Sequence, residues 1–313
     1  MWLAPAVLMV RPERFGFNPE AAVTNVFAQE GVSGPEDSGH TGAACVPPSE
    51  RARARFEVER AAEALQSAGV RVFLAADAIE PPKPDACFPN NWVSFHPDGT
   101  AVLYPMAVAS RRAERRPELL EQVRTFHGTR RVVDLSALEA DGAYLEGTGS
   151  LILDHAARVA FAARSPRTTT AGLSAFSEAT GYRIVAFDAA LDGAPVYHTN
   201  VMLALGPELV VFAPDLVAPG AARAALLSAL GDRRQLVLEA AQIRDYAANL
   251  LYLSSPAGPV AVLSRRAFAA LTASQRAMLG KTVVVDIDTV ETVGGGSARC
   301  LLAEVFGVDS PQP

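Results

Sequence analysis

Cysteine is scarce in this 313-residue chain: Cys45, Cys87 and Cys300 stand at unrelated spacings, and no Cys-x-x-Cys pair occurs. That argues against a disulfide framework and against a cysteine-rich structural metal site. Basic charge is short as well. Lys and Arg number 28 against 34 Asp and Glu, for a formal net charge of −6, and basic residues cluster only in stretches such as RRAERR at 111–116. Such a balance leaves no electrostatic footprint for nucleic acid. Long apolar runs are also missing. Nothing approaches the roughly 18 uninterrupted apolar residues of a membrane span, and no basic segment precedes the short apolar run in the opening MWLAPAVLMVRPERF. The expectation is a first β-strand in a cytoplasmic protein that meets neither membrane nor nucleic acid.

What is present is half hydrophobic, enough for a substantial core and read as one domain over 1–313. Within it a unit repeats. Hairpin-like segments begin at Asn91 (NWVSFHPDGTAVLYP), Gly149 (GSLILDHAARVAFAA), Asn200 (NVMLALGPELVVFA) and Asn249 (NLLYLSSPAGPVAVLS). Each joins two apolar or β-branched runs through a turn rich in Gly, Pro or Asp. A helix-like stretch and another short strand follow each one: ERRPELLEQVRTF then RRVVDLS, TTAGLSAFSEATG then YRIVAF, PGAARAALLSALG then RQLVLEA, RRAFAALTASQRAMLG then KTVVVDI. The N-terminal segment supplies strand VLMVRP, helix FEVERAAEALQSAG and strand VRVFLAA, and LLAEVF after Cys300 supplies the strand that closes a ring.

Five ββαβ units with a period of about 50 to 60 residues cannot bury their faces singly. A closed ring with shared cores, a five-bladed pseudosymmetric α/β propeller, is the expected fold. The residues just ahead of each repeated strand would then face one another at one end of the axis: Asn91, Glu146 with Gly149, His198 with Asn200, Asn249, and Cys300. The Gly/Pro/Ser-rich segment 31–50 lacks periodicity and is read as a flexible insertion or a lid.

Cysteine, histidine and a carboxylate at one mouth make a nucleophile, a proton shuttle and a charged orienter. The three glycines of GGGSARC, residues 294–300, would allow a sharp turn and close backbone approach beside the thiol. The succession FPNNW, LEGTGS, YHTNVML and GGGSARC, with RPERFGFNPEAAVTN, resembles the guanidino-modifying superfamily of arginine deiminases, dimethylarginine dimethylaminohydrolases, succinylarginine dihydrolases and amidinotransferases. The likeness runs from about residue 7 to 306 and is nearest the citrulline utilisation hydrolases.

That resemblance implies a five-bladed pentein fold, with Cys300 as nucleophile, His198 as general acid/base and Glu146 as the carboxylate that hydrogen-bonds a substrate nitrogen. It also implies a carboxylate-binding role for Arg167, with Arg112 as a further cation. Asn249 would contact substrate or cap its strand, Asp85 would brace the site loop, and Cys45 and Cys87 would be structural. The chain departs from deiminases in having Asn90-Asn91 in place of an Arg-Asp pair and His198-Thr199-Asn200 in place of His-x-Asp. Aspartate grips a cationic guanidinium. An amide offers one acceptor and one donor edge, as a neutral ureido group does. The expected activity is hydrolysis of citrulline to ornithine, ammonia and carbon dioxide, with no metal or organic cofactor. Hydrolysis of arginine or a derivative is the alternative within enzymes, and a non-catalytic binding propeller the alternative outside them. Oligomeric state is left open, a homo-oligomer included.

Overall fold

The computed structural model describes residues 2–30 and 48–308. Five three-stranded sheets recur in one pattern, an inner strand antiparallel to a middle strand that is parallel to an outer one. The first blade joins Ala303–Val305, Ala6–Arg11 and Arg71–Ala76, so the two ends of the chain meet in one sheet, with Ala6 opposite Val305 and Arg71. The second holds Val93–Phe95, Thr100–Leu103 and Arg131–Asp134. The third holds Ile152–Asp154, Val159–Ala163 and Arg183–Phe187. Leu203–Leu205, Leu209–Phe212 and Arg234–Val237 form the fourth, and Leu251–Ser255, Gly258–Ser264 and Thr282–Val285 the fifth.

The parallel step from middle to outer strand needs a crossover, which the helix of each unit provides. Helix Glu118–His127 turns Leu119, Leu120 and Val123 inward, three- and four-residue spacing on one face, and stops at Gly128 in the left-handed conformation. Helix Thr170–Thr180 starts on the Thr169 side chain and stops on left-handed Gly181. In the fifth unit the helix is split into Arg265–Ala270 and Ala273–Leu279. Its second half starts from a capping box between Thr272 and Gln275, a signature legible in LTASQ.

Middle strands such as Val159–Ala163 and Leu209–Phe212 are buried throughout, which explains their unbroken apolar runs, while outer strands such as Arg131–Asp134 bury one residue. The core closes the ring. Ala6, Leu8 and Val305 pack with Val93 and Phe95, and Val102 and Tyr104 with Leu151 and Leu153. Phe161 packs with the fourth and fifth blades through Leu203 and Tyr252, and Leu253 and Val262 pack with Val7 and Leu302. Each blade shares apolar residues with the next, as a ring of units too small to fold singly requires.

A two-stranded hairpin at Ala190–Leu191 and Ala194–Pro195, and a helix Asp288–Gly294 directly ahead of the glycine run, lie outside the repeat. Most of the 31–50 segment, with Cys45, lies outside the described residues. Among those described, no helix is long and apolar enough to cross a membrane.

Candidate active site

Each inner strand is preceded by a polar residue or a single helical turn at the same end of the ring. These are Pro89–Asn91, Gly147–Ser150, Thr199–Val201, Asn249 and Ala298–Leu301. A one-turn helix ending in an apolar strand holds its polar residues at the mouth while the strand is anchored in the core. The register proposed from the repeat thus brings Asn91, Glu146, His198, Asn200, Asn249 and Cys300 to one end, all buried.

His198 donates from Nε2 to Glu146 Oε2 at 2.8 Å. A carboxylate only accepts, so the neutral ring carries its hydrogen on Nε2 and leaves a lone pair on Nδ1. That nitrogen and the Asn91 amide press on Gly149, where an added Cβ would sit 2.8 Å from His198 Nδ1 and 2.5 Å from Asn91 Nδ2. Burial lowers His198 to about 4 despite the opposing pull of Glu146. Glu146 goes the other way. Arg167 at 3.3 Å, His198 and Arg111 at 3.7 Å overcome its burial and hold it well below the usual carboxylate range. Burial pushes the Cys300 thiol up, with hydrogen bonds from the Ser297 main chain, Asn249 and Asn200 and the more distant charge of Arg299 opposing it. The resting pair is therefore a neutral thiol and a neutral imidazole beside a carboxylate that stays charged.

Asp85 accepts from Asn18 Nδ2 at 2.8 Å, pairs with Arg111 Nε at 3.5 Å and lines the cavity. Its loop is cross-tied by buried Lys83, which meets Asp77 at 3.2 Å and the carbonyls of Ala78 and Pro81. Asn91 turns its oxygen to Arg111 Nη1 at 3.0 Å and its nitrogen to Asn90 Oδ1 at 3.1 Å. Asn90 is fully buried behind it and does not line the cavity.

Arg167 is turned partly to the segment above the site. Its Nε donates to Thr24 Oγ1 and its Nη2 to the Ala21 carbonyl, with Tyr197 stacked 5.0 Å away. Arg112 is not at the site: it is about a third exposed and points to Glu139 and the Met106 carbonyl. The turn Ala109–Glu114 aims its neighbour Arg111 inward instead, where Glu114 grips it with two bonds of 2.9 Å. The i, i+3 spacing of Arg111 and Glu114 within RRAERR was the available signal. Tyr197, ring to ring with His198 at 4.6 Å, and the roof residues Asn18 and Asn25 were also missed, although both asparagines lie within FGFNPEAAVTN.

The glycine run has a different partner from the one expected. Gly295 adopts φ 64, and a Cβ there would lie 2.5 Å from Ala28 N and from Asn25 Nδ2. Its carbonyl accepts from Asn25 and from the Tyr197 hydroxyl. At Gly296 a Cβ would lie 2.8 Å from the Phe88 ring. The glycines let the roof lie directly on the site backbone. The space left between them is about 10 Å³, near the minimum for one water, and Cys300 is 4% exposed. Among the described residues no group of three or more His, Cys, Asp or Glu is placed to hold a metal.

A nucleophile, a histidine of fixed tautomer and a carboxylate oriented by two arginines can carry out covalent attack on an sp² carbon. Solved structures share this architecture. The N-terminal domain of ArgZ, a cyanobacterial arginine dihydrolase solved with substrate, superposes with a TM-score of 0.72 at 13% identity over 96% of this chain and 98% of that one. Against AgrE solved with ornithine and NAD+ the TM-score is 0.70 at 16% identity, and the match spans 98% of this chain but 40% of that protein. DDAH from Pseudomonas aeruginosa, solved with citrulline, gives 0.64 at 18% identity over 96% and 99% of the two chains. No curated protein matches by sequence. The model of the eukaryotic N,N dimethylarginine dimethylhydrolases matches residues 11–307; with Cys300, His198 and Glu146 gathered at one mouth of the ring, the chain belongs to that family, within the guanidino-modifying superfamily.

Proposed function

We propose that the protein hydrolyses the ureido group of citrulline to ornithine, ammonia and carbon dioxide through a covalent adduct on Cys300. One observation supports the ureido reading above others. The side chains at the sulfur are neutral amides, whereas the carboxylates of the site are already met by cations and donors: Glu146 by His198, Arg167 and Arg111, and Asp85 by Arg111 and Asn18. Glu114 also draws on Arg111, and among the described residues no carboxylate hydrogen-bonds the Cys300 sulfur, so a guanidinium placed there meets amides rather than an acid. A ureido group finds amide edges of both polarities.

With His198 Nδ1 as the final acceptor of the thiol proton, relayed across the cavity, the thiolate attacks the ureido carbon. The tetrahedral adduct collapses as imidazolium returns the proton to the departing nitrogen, leaving a carbamoyl thioester. His198 then takes a proton from water as it attacks, the thioester bond breaks as that proton passes to the departing Cys300 sulfur, and the released carbamate falls to carbon dioxide and the remaining nitrogen product, ammonia or ornithine. Glu146 stabilises the imidazolium in each half.

Arginine is the second reading, favoured by the likeness to an arginine dihydrolase and by Asp85 lining the same cavity. A turnover screen over citrulline, arginine, agmatine and methylated arginines, with ornithine, citrulline and ammonia quantified, separates the two. Citrulline turnover to ornithine, with arginine inert, is the expected result. Arginine consumption with citrulline itself unused overturns it.

A further inference from the structure

Cys300 must ionise in a place that resists ionisation. Burial raises the thiol, and among the described residues its side-chain hydrogen-bond partners are two amides rather than a cation. The adjacent Arg299 is turned to the Leu302 carbonyl and Glu304.

The two amides are held differently. Asn249 Oδ1 accepts from the Arg299 main-chain N–H at 3.0 Å, and its Nδ2 donates to the Asn200 carbonyl at 3.1 Å. Both partners are main-chain groups of fixed polarity, so this amide cannot be reversed. Its remaining N–H is left for Cys300 Sγ, 3.5 Å from Nδ2. Asn200 Nδ2 reaches the sulfur at 3.6 Å, yet its Oδ1 is buried without a partner among the described residues. The turn delivering Asn249 carries its own cost. Tyr246 adopts φ 60, a conformation disfavoured for residues with side chains, and its carbonyl accepts from Asn249 N at 2.8 Å.

We infer that Asn249 is a catalytic residue that stabilises the Cys300 thiolate, while Asn200 divides its amide between the sulfur and a ligand N–H. In the thiol state S–H faces Asn249 Oδ1 at the longer distance of 3.8 Å. Once the proton leaves, the locked N–H already points at the anion. This role rests on Cys300 being the nucleophile and not on which ureido or guanidino compound is used.

Alkylation by iodoacetamide without substrate tests it: thiolate sulfur displaces iodide and forms a thioether, so the rate follows the thiolate fraction. Modification is mapped to the Cys300 peptide to exclude the other cysteines, and each variant is checked by thermal melting. Asn249→Ala is expected to move the midpoint of the pH–rate curve up by about one pH unit, about tenfold slower below it. Asn249→Asp keeps an oxygen for Arg299 N–H but sets an anion beside the sulfur, and is expected to move it further. Asn200→Ala should shift the curve less and raise KM more. If the alanine variant does not fold, the aspartate variant decides. A folded Asn249 variant with the wild-type curve overturns the inference and leaves Asn249 a strut. Shifted alkylation in a protein that turns over no citrulline retains this inference and discards the proposed substrate.

Discussion

The two ends of the ring axis both bury histidines, and only one end can use them. At the far end, His96 and His155 follow the inner strands of the second and third blades. Their side-chain hydrogen-bond partners among the described residues are neutral hydroxyls, with Asp98 and Arg158 acting only from further off: Ser94 Oγ lies 2.9 Å from His96 Nε2 and 2.6 Å from Tyr104 OH, and Tyr182 OH lies 2.6 Å from His155 Nδ1. Burial lowers His96 to about 4, as it lowers His198. The depression is alike and the consequence is not. His198 has a charged Glu146 on Nε2 waiting for an imidazolium, whereas a proton arriving at His96 or His155 meets hydroxyls and aromatic edges. Burial alone makes a histidine neutral; a carboxylate with its own compensating arginines lets it hold a proton, as the proposed shuttle requires.

Removing that carboxylate charge is the harshest way to break the contrast. Glu146→Gln frees the His198 tautomer and leaves Arg167 and Arg111 facing a neutral group. Citrulline turnover should fall by roughly 10² to 10³, and chemical denaturation should show a loss of about 3 kcal/mol or more. Wild-type turnover in this variant would falsify the shuttle.

The far-end histidines should appear instead in stability against pH. Burial lowers the folded pKa of both, to about 4 for His96, so below about 6.5 the unfolded chain binds more protons. The stability they contribute is full above 6.5 and is lost as pH falls below it, for His96 through the window down to about 4 and by up to about 3 kcal/mol. Glu114, raised to about 7 mainly by burial, works in the opposite sense, so the informative quantity is a difference. Denaturant titrations at pH 7 and pH 5 should show a smaller acid loss in a His96→Gln, His155→Phe variant than in wild type; equal losses refute the assignment.

Substrate choice is a milder effect. Changing both Asn91 and Asn200 to Asp should move relative kcat/KM toward arginine by about tenfold, close to 1.4 kcal/mol. An unmoved ratio in steady-state competition removes the support those asparagines give to a ureido substrate. Smallest is Tyr182→Phe, which deletes the hydroxyl at His155 and should cost about 1 kcal/mol in a denaturation experiment. Its kcat should be unchanged, the counterpart of Glu146→Gln.

Much of the ring was legible because it is repetitive. A hairpin, a helix and a strand recurring from 91, 149, 200 and 249 leave few ways to bury five sets of apolar faces, and the mouth residues follow from register alone. What escaped the sequence depends on direction within a turn. In RRAERR only the i, i+3 spacing of Arg111 and Glu114 hints at which arginine faces in; the turn Ala109–Glu114 and the Glu114 grip decide it. The glycines of 294–296 read as making room for a ligand at the thiol, and the room is taken by Asn25, Ala28 and Phe88, because contacts between residues 25 and 295 leave no local pattern. Helix Asp288–Gly294 was hidden by its glycine end, and Asn249 read equally as a substrate contact or a strand cap, with no sign in the sequence of which edge meets the sulfur.

The most direct measurement is peptide mass spectrometry of enzyme quenched in acid during citrulline turnover. The expected result is a carbamoyl or substrate-derived mass on the Cys300 peptide, absent from Cys300→Ser, which should also release no ornithine. Ornithine release by Cys300→Ser, or sustained wild-type turnover with Cys300 always unmodified, contradicts covalent catalysis at this sulfur.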